Sequence, residues 1–128
     1  FLLLTGLLPL ILGGCGALGC GDEVVQREPR PDARGAAVVF VRDCAMTGPS
    51  TRVALLRNLD APPRAGELLF AADADRGDAG VRIRWMNVDH LEIAHDPRTR
   101  PTRRTPVQRD LRITYAPRRR HKRARGHA

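Results

Sequence analysis

Aromatic side chains make up only 4% of this 128-residue chain, with one Trp and one Tyr. A core of stacked bulky rings is therefore excluded. The apolar residues, plentiful at 42%, must pack mostly as Val, Leu, Ile and Ala. Lysine is scarcer still: of 22 basic residues only Lys122 is not an arginine. That skew fits a GC-rich coding sequence better than arginines chosen one by one for bidentate anion contacts. No segment holds helical periodicity over three turns, which points away from a helical bundle. A phosphate-cradling glycine loop and a Gly-x-Ser-x-Gly elbow are also missing, so neither nucleotide chemistry nor a serine hydrolase finds support. The length leaves room for one domain.

The formal charge of +8 is not spread over the chain. Residues 98–128 hold 12 of the 22 basic groups and a single acid, Asp110, which makes that stretch +11 and the preceding 97 residues −3. The charge thus describes a basic end rather than a basic surface.

No charge occurs in the first twenty residues, FLLLTGLLPLILGGCGALGC. An apolar run followed by small residues has the form of a secretory signal and its processing site, and residues 1–20 are assigned to it. Neither a Met nor a basic segment precedes the run, so its front is read as truncated. A membrane helix is the alternative, weakened by the glycines and Pro9. Leu12-Gly13-Gly14-Cys15 resembles the bacterial lipobox, in which the cysteine is acylated and becomes the new N-terminus, with Cys20 as the alternative site. If Cys15 carries lipid, Cys20 and Cys44 remain and could pair in an oxidising envelope; if Cys20 carries it, Cys44 stands alone.

Beyond the leader, residues 21–35 read as a tether, with the turn chemistry of EPRPDAR at its end. Strands are expected at 36–42, 51–57, 67–72, 81–86, 91–93 and 111–115, separated by Gly, Pro and Asp turns. Val81, Ile83 and Trp85 alternate with arginines and Met86, the clearest period-two pattern in the chain, and Leu91 and Ile93 continue it as the returning arm of a hairpin. The fold class is therefore all-β: a small antiparallel meander sheet or two-layer sandwich of five to six short strands over residues 36–117. The charged stretch 118–128 is expected to be a disordered basic tail.

The order of an apolar leader, a Pro-Asp turn, an AVVF strand, Asp43-Cys44, a Thr-Gly turn, an LLF strand and VRIRW followed by LEI resembles a family of small uncharacterised bacterial envelope proteins. Their motif reads Asp-Cys-Gly-Ala-Thr-Thr-Gly. Asp43, Cys44, Thr47, Gly48, Thr51, Trp85, Leu91, Glu92 and Ile93 match, whereas Ala45 stands where glycine is expected. The resemblance implies that Asp43, Cys44, Thr47, Gly48, Thr51 and Trp85 form a structural or binding motif. It implies no activity.

Cys44 is read as a buried or turn-lining thiol ahead of pairing or redox chemistry, and catalysis is disfavoured because spacing places no base beside it. Asp73, Asp75 and Asp78 fail the EF-hand pattern, with Gly77 and Asp78 at its fifth and sixth positions and Arg84 at its twelfth, and are read as a solvated acidic turn. Arg76-Gly77-Asp78 carries no weight. His90 and His95, five apart on a strand, should face opposite sides and cannot jointly hold zinc. Trp85 is expected in the core. No catalytic residue, cofactor or metal is expected. Arg118, Arg119, Arg120, Lys122 and Arg123 would bind polyanions by charge alone. The expected role is that of a non-enzymatic, lipid-anchored or secreted envelope protein facing the periplasm or exterior, with the membrane as partner through its N-terminal lipid. An anionic envelope polymer or lipid is a further partner, and nucleic acid is not expected. The alternative is a polyanion-binding protein acting through its Arg-rich end.

Overall fold

The computed structural model describes residues 19–73 and 80–117. Among them run nine strands: β1 (Cys20–Pro29), β2 (Ala36–Cys44), β3 (Gly48–Leu56), β4 (Glu67–Asp73), β5 (Arg82–Asn87), β6 (His90–His95), β7 (Pro101–Arg104), β8 (Val107–Gln108) and β9 (Leu111–Pro117), with one 3-10 turn at Pro63–Ala65. Two sheets form, ordered β1-β2-β3-β4-β7 and β5-β6-β9-β8. The chain is all-β, in the two-layer form of the expectation, and all six anticipated strands are present. Among the described residues no helix is long and apolar enough to cross a membrane.

The core lies between the sheets. Ala37 and Val39 of β2 and Val53 of β3 meet Val81, Ile83, Leu91, Ile93, Leu111 and Ile113 from the other layer, all at or near zero exposure. The period-two residues singled out in β5, β6 and β9 are therefore the inner face of the second sheet. On its outer face Arg84 pairs with Glu92 across the hairpin at 3.4 Å.

A second, smaller cluster explains why the AVVF segment does not alternate. Val38, Phe40, Ala54 and Leu56 sit on the opposite face of the first sheet, and Ala61 packs over them. Arg27 holds that covering segment by donating from Nη1 to the carbonyls of Leu59 (3.0 Å) and Ala61 (3.1 Å). β2 is thus buried on both faces, and a strand buried on both faces reads as a continuous apolar run.

Two of the register shifts shape the core and its margin. In β4 the pairing shifts between Val53↔Phe70 and Ala54↔Leu68, leaving Leu69 as the extra residue. A bulge turns two successive side chains toward one side, and both Leu69 and Phe70 enter the main core. In β1 the shift between Val24 and Gln26 makes Val25 the extra residue and opposes Gln26 to the inward-facing Val39.

Three features depart from the sequence expectation. The segment 21–35 is not a tether: its first nine residues belong to β1, paired with β2 except at the Val25 bulge. The fold is not a pure antiparallel meander, because β6 and β9 run parallel from His90↔Arg112 to His95↔Pro117. Among the described residues the strands number nine rather than five or six: β1 lies in the expected tether, and β7 and β8 occupy the Pro-, Thr- and Arg-rich stretch expected as loop. Residues 1–18 of the leader 1–20, with Cys15, residues 74–79 with Asp75, Asp78 and the Arg-Gly-Asp tripeptide, and the basic end 118–128 lie outside the described residues.

The β1–β2 turn depends on one close approach. Gly35 adopts φ +148°, and a Cβ built there would lie 2.3 Å from the Leu56 carbonyl oxygen. Only a residue without a side chain lets this turn press on the end of β3. Gly35→Ala is expected to lose about 2 kcal/mol or more of stability, read as a fall in the urea midpoint with little change in slope.

Candidate functional site

The cysteine-bearing end of the first sheet is built by strand register. β1 and β2 align Cys20 opposite Cys44, with Cα atoms 4.1 Å apart, and the two sulfurs form a disulfide. This corrects the reading of Cys44 as a free thiol. A sulfur bonded to Cys44 cannot also carry a thioether, so this bond and lipid on Cys20 exclude one another. Two pairs inward, Asp22 faces Arg42 and receives a fork from it, Nε to Oδ1 at 2.9 Å and Nη2 to Oδ2 at 3.3 Å. The Asp22 hydrogen bond pushes the Arg42 guanidinium above its ordinary value, against the opposing effect of burial.

The motif residues around this end separate into distinct roles. Asp43 and Thr47 are exposed, and the Thr47 amide donates to the Cys44 carbonyl at 3.2 Å to close the turn. Gly48 takes the left-handed conformation at φ +79°. Ala45 has no positive φ, so its replacement of glycine leaves the turn intact: the residue that needs the left-handed region is Gly48. Thr51 is fully buried, and its Oγ1 has no hydrogen-bond partner. Trp85 belongs to β5 in the other sheet and meets the first sheet at Glu28, toward the opposite end of β1 from Cys20. It is half-buried against the core, donates from Nε1 to the Glu28 carbonyl at 3.0 Å and lies under the Arg30 guanidinium, 5.7 Å from the ring centroid. The structure therefore does not gather Asp43, Cys44, Thr47, Gly48, Thr51 and Trp85 into one pocket.

The two histidines do face opposite sides of β6. His90 meets Thr114 Oγ1 at 2.9 Å and receives the Arg112 Nη2 donor on Nδ1 at 3.3 Å. Arginine can only donate, so Nε2 carries the ring proton. His95 instead lies against Phe70, ring centroids 5.5 Å apart. Among the described residues no three His, Cys, Asp or Glu side chains converge as metal ligands.

Tyr115 closes one side of the sandwich. Its hydroxyl donates to the Thr105 carbonyl at 2.8 Å and accepts from the Thr105 amide at 2.8 Å, while the guanidinium of Arg104 stacks on the ring at 4.4 Å. Burial pushes its phenol above the ordinary value, opposed in part by the Thr105 hydrogen bond and by the charges of Arg104 and Arg103.

At the other end of the first sheet a cleft of about 220 Å³ opens between the layers. It receives the end of β3, the start of β4, the β1–β2 turn and the β8–β9 turn. Arg30, Arg34, Arg57 and Arg109 line it with Glu67 and Asp110, over Leu55, Leu56 and Leu111. Glu67 is already engaged, by Gln108 Nε2 and by Arg109 at 3.9 Å. Arg30 is tied to the Val88 carbonyl at 2.8 Å and to Asp32 at 3.7 Å. Sequence reading missed this cleft, because its lining comes from segments that only the sheet pairing brings together. A backbone signal exists: Ala33 and Arg109, both at φ 60°, are the only non-glycine residues with positive φ among those described, and both lie in turns bordering it.

Known protein families, curated proteins and solved structures were compared with the chain, and none matches it.

Two outcomes test this geometry. Thr51→Val removes an unpartnered buried hydroxyl at nearly constant shape, and thermal unfolding should show stability unchanged or raised by about 1 kcal/mol. Because folding raises the phenol's pKa, the stability tied to neutral Tyr115 is fully present below about pH 10 and is lost as pH rises through the folded value. The phenolate absorbance of this sole tyrosine should therefore appear at higher pH in the native protein than in urea, and at higher pH again in Arg104→Ala, where a stabilising cation is gone.

Proposed function

We propose that this chain is a non-enzymatic envelope protein, exported and held at a membrane through lipid on Cys15, whose sandwich acts as a binding or structural accessory. The observation that carries this reading is the Cys20–Cys44 disulfide, since such bonds persist in oxidising compartments and are rare in the cytosol. It also removes the nucleophile that an enzyme reading would use. The resemblance to small bacterial envelope proteins supports the same placement.

The anchor and the fold fit one another geometrically. Cys20, where β1 begins, follows Cys15 by five residues, a span of at most about 17 Å when extended. An acylated Cys15 would therefore hold the disulfide end against the bilayer. The arginine-lined cleft, at the far end of β1 and β3, would point away from it. A second reading, polyanion binding through Arg118, Arg119, Arg120, Lys122 and Arg123, is favoured by Arg103 and Arg104, which lie beside Tyr115 near the end of β9 and extend the basic run onto the folded surface.

Mass spectrometry of protein extracted from membranes tests the preferred reading. The expected product begins at an acylated Cys15 and has Cys20 and Cys44 protected from alkylation until reduced. Cytosolic recovery with an intact leader and two alkylatable cysteines would overturn it.

A further inference from the structure

We propose that the cleft between the β1–β2 turn, the end of β3 and the β8–β9 turn binds a small phosphate-bearing molecule, with the phosphate held between Arg34 and Arg57. The inference concerns the folded domain alone and does not depend on where the protein resides.

Two of the four arginines are already occupied, Arg30 by the Val88 carbonyl and Asp32, and Arg109 by Glu67. Arg34 and Arg57 differ: among the described residues neither guanidinium has an ion pair or side-chain hydrogen bond. Strand pairing brings both to one opening: Ala36 pairs with Leu56 and Gly35 is pressed onto the Leu56 carbonyl, so Arg34, just before that contact, and Arg57, just after it, both line the cleft. Like charges gathered around one small opening repel, and an anion among them relieves the cost.

The chemistry of the ligand follows from count and size. Two guanidinium forks offer more donors than one carboxylate can accept, whereas a phosphate presents three oxygens and up to two charges. Among the described residues the carboxylates lining the cleft are Glu67, already held by Gln108 and Arg109, and Asp110. A volume of about 220 Å³ is smaller than the usual drug-sized pocket, and it suits a headgroup-sized molecule whose carbon skeleton rests on Leu55, Leu56 and Leu111. The positive φ at Ala33 and Arg109 places strained backbone on both sides of the same opening, as occurs at ligand clamps.

Calorimetric titration of the full chain with inorganic phosphate and with glycerol phosphate provides the test, alongside the double variant Arg34→Ser/Arg57→Ser. Both side chains are exposed, so the double variant should keep its melting temperature. Saturable binding that weakens about tenfold or more in the variant supports the proposal. Vesicles containing phosphatidylglycerol serve as a third titrant: binding of glycerol phosphate without vesicle binding identifies a soluble source, and vesicle binding lost in the variant identifies a lipid headgroup. Absence of saturable binding, binding unchanged in the variant, or equal displacement by chloride would each overturn the proposal.

Discussion

The structure turns on the amide of Gln26. Its Oε1 accepts from the Ile83 amide and its Nε2 donates to the Ile83 carbonyl, both at 3.0 Å, so one side chain supplies the two hydrogen bonds that a neighbouring strand would otherwise give the open edge of β5. An unpaired edge is a template for aggregation, and covering it this way lets the first sheet close over the second without merging with it. The Val25 bulge is what turns Gln26 inward, and Glu28 steadies the amide at 3.0 Å. Trp85 extends the same seam by bonding to the Glu28 carbonyl. On the opposite side Tyr115 does comparable work at Thr105. Both lateral margins of this aromatic-poor sandwich are thus joined by a few polar side chains, while small aliphatic residues fill the space between.

The two ends of the first sheet have different character. One carries the Cys20–Cys44 bond and the Asp22–Arg42 fork, fixing β1 onto β2 where the leader enters. The other carries the cleft, where turns of unusual backbone geometry crowd arginines around a small volume. The disulfide and the cleft are thus separated by the length of the strands.

Legibility in the sequence followed a physical boundary. Strands with one face in the core announced themselves: Val81-Ile83-Trp85, Leu91-Ile93 and Leu111-Ile113-Tyr115 alternate because one side of their sheet meets solvent. β2 was also visible, as an unbroken apolar run. β1 was not, because its inward residues, Gln26 and Glu28, are polar and serve an edge rather than a core, which makes the strand look like a linker. That one omission also left the Cys20–Cys44 pairing as an alternative rather than the expectation, since Cys20 meets Cys44 through the register of β1. β7 and β8 are short and rich in Pro, Thr and Arg, and their pairing comes from position rather than propensity. The cleft lay beyond sequence reasoning for a different reason: Arg34, Arg57 and Arg109 sit in separate turns, and no local pattern marks side chains that tertiary pairing alone assembles.

The parallel pairing of β6 with β9 bears on how the polypeptide matures. Between these strands the chain leaves the second sheet, adds β7 to the rim of the first and returns through β8. Neither layer can be completed before residues from the last quarter of the chain arrive. A polypeptide emerging N-terminus first would hold two unfinished layers with bare strand margins until then, a state open to capture by holdases or by other nascent copies. That exposure ends once β9 lies beside β6.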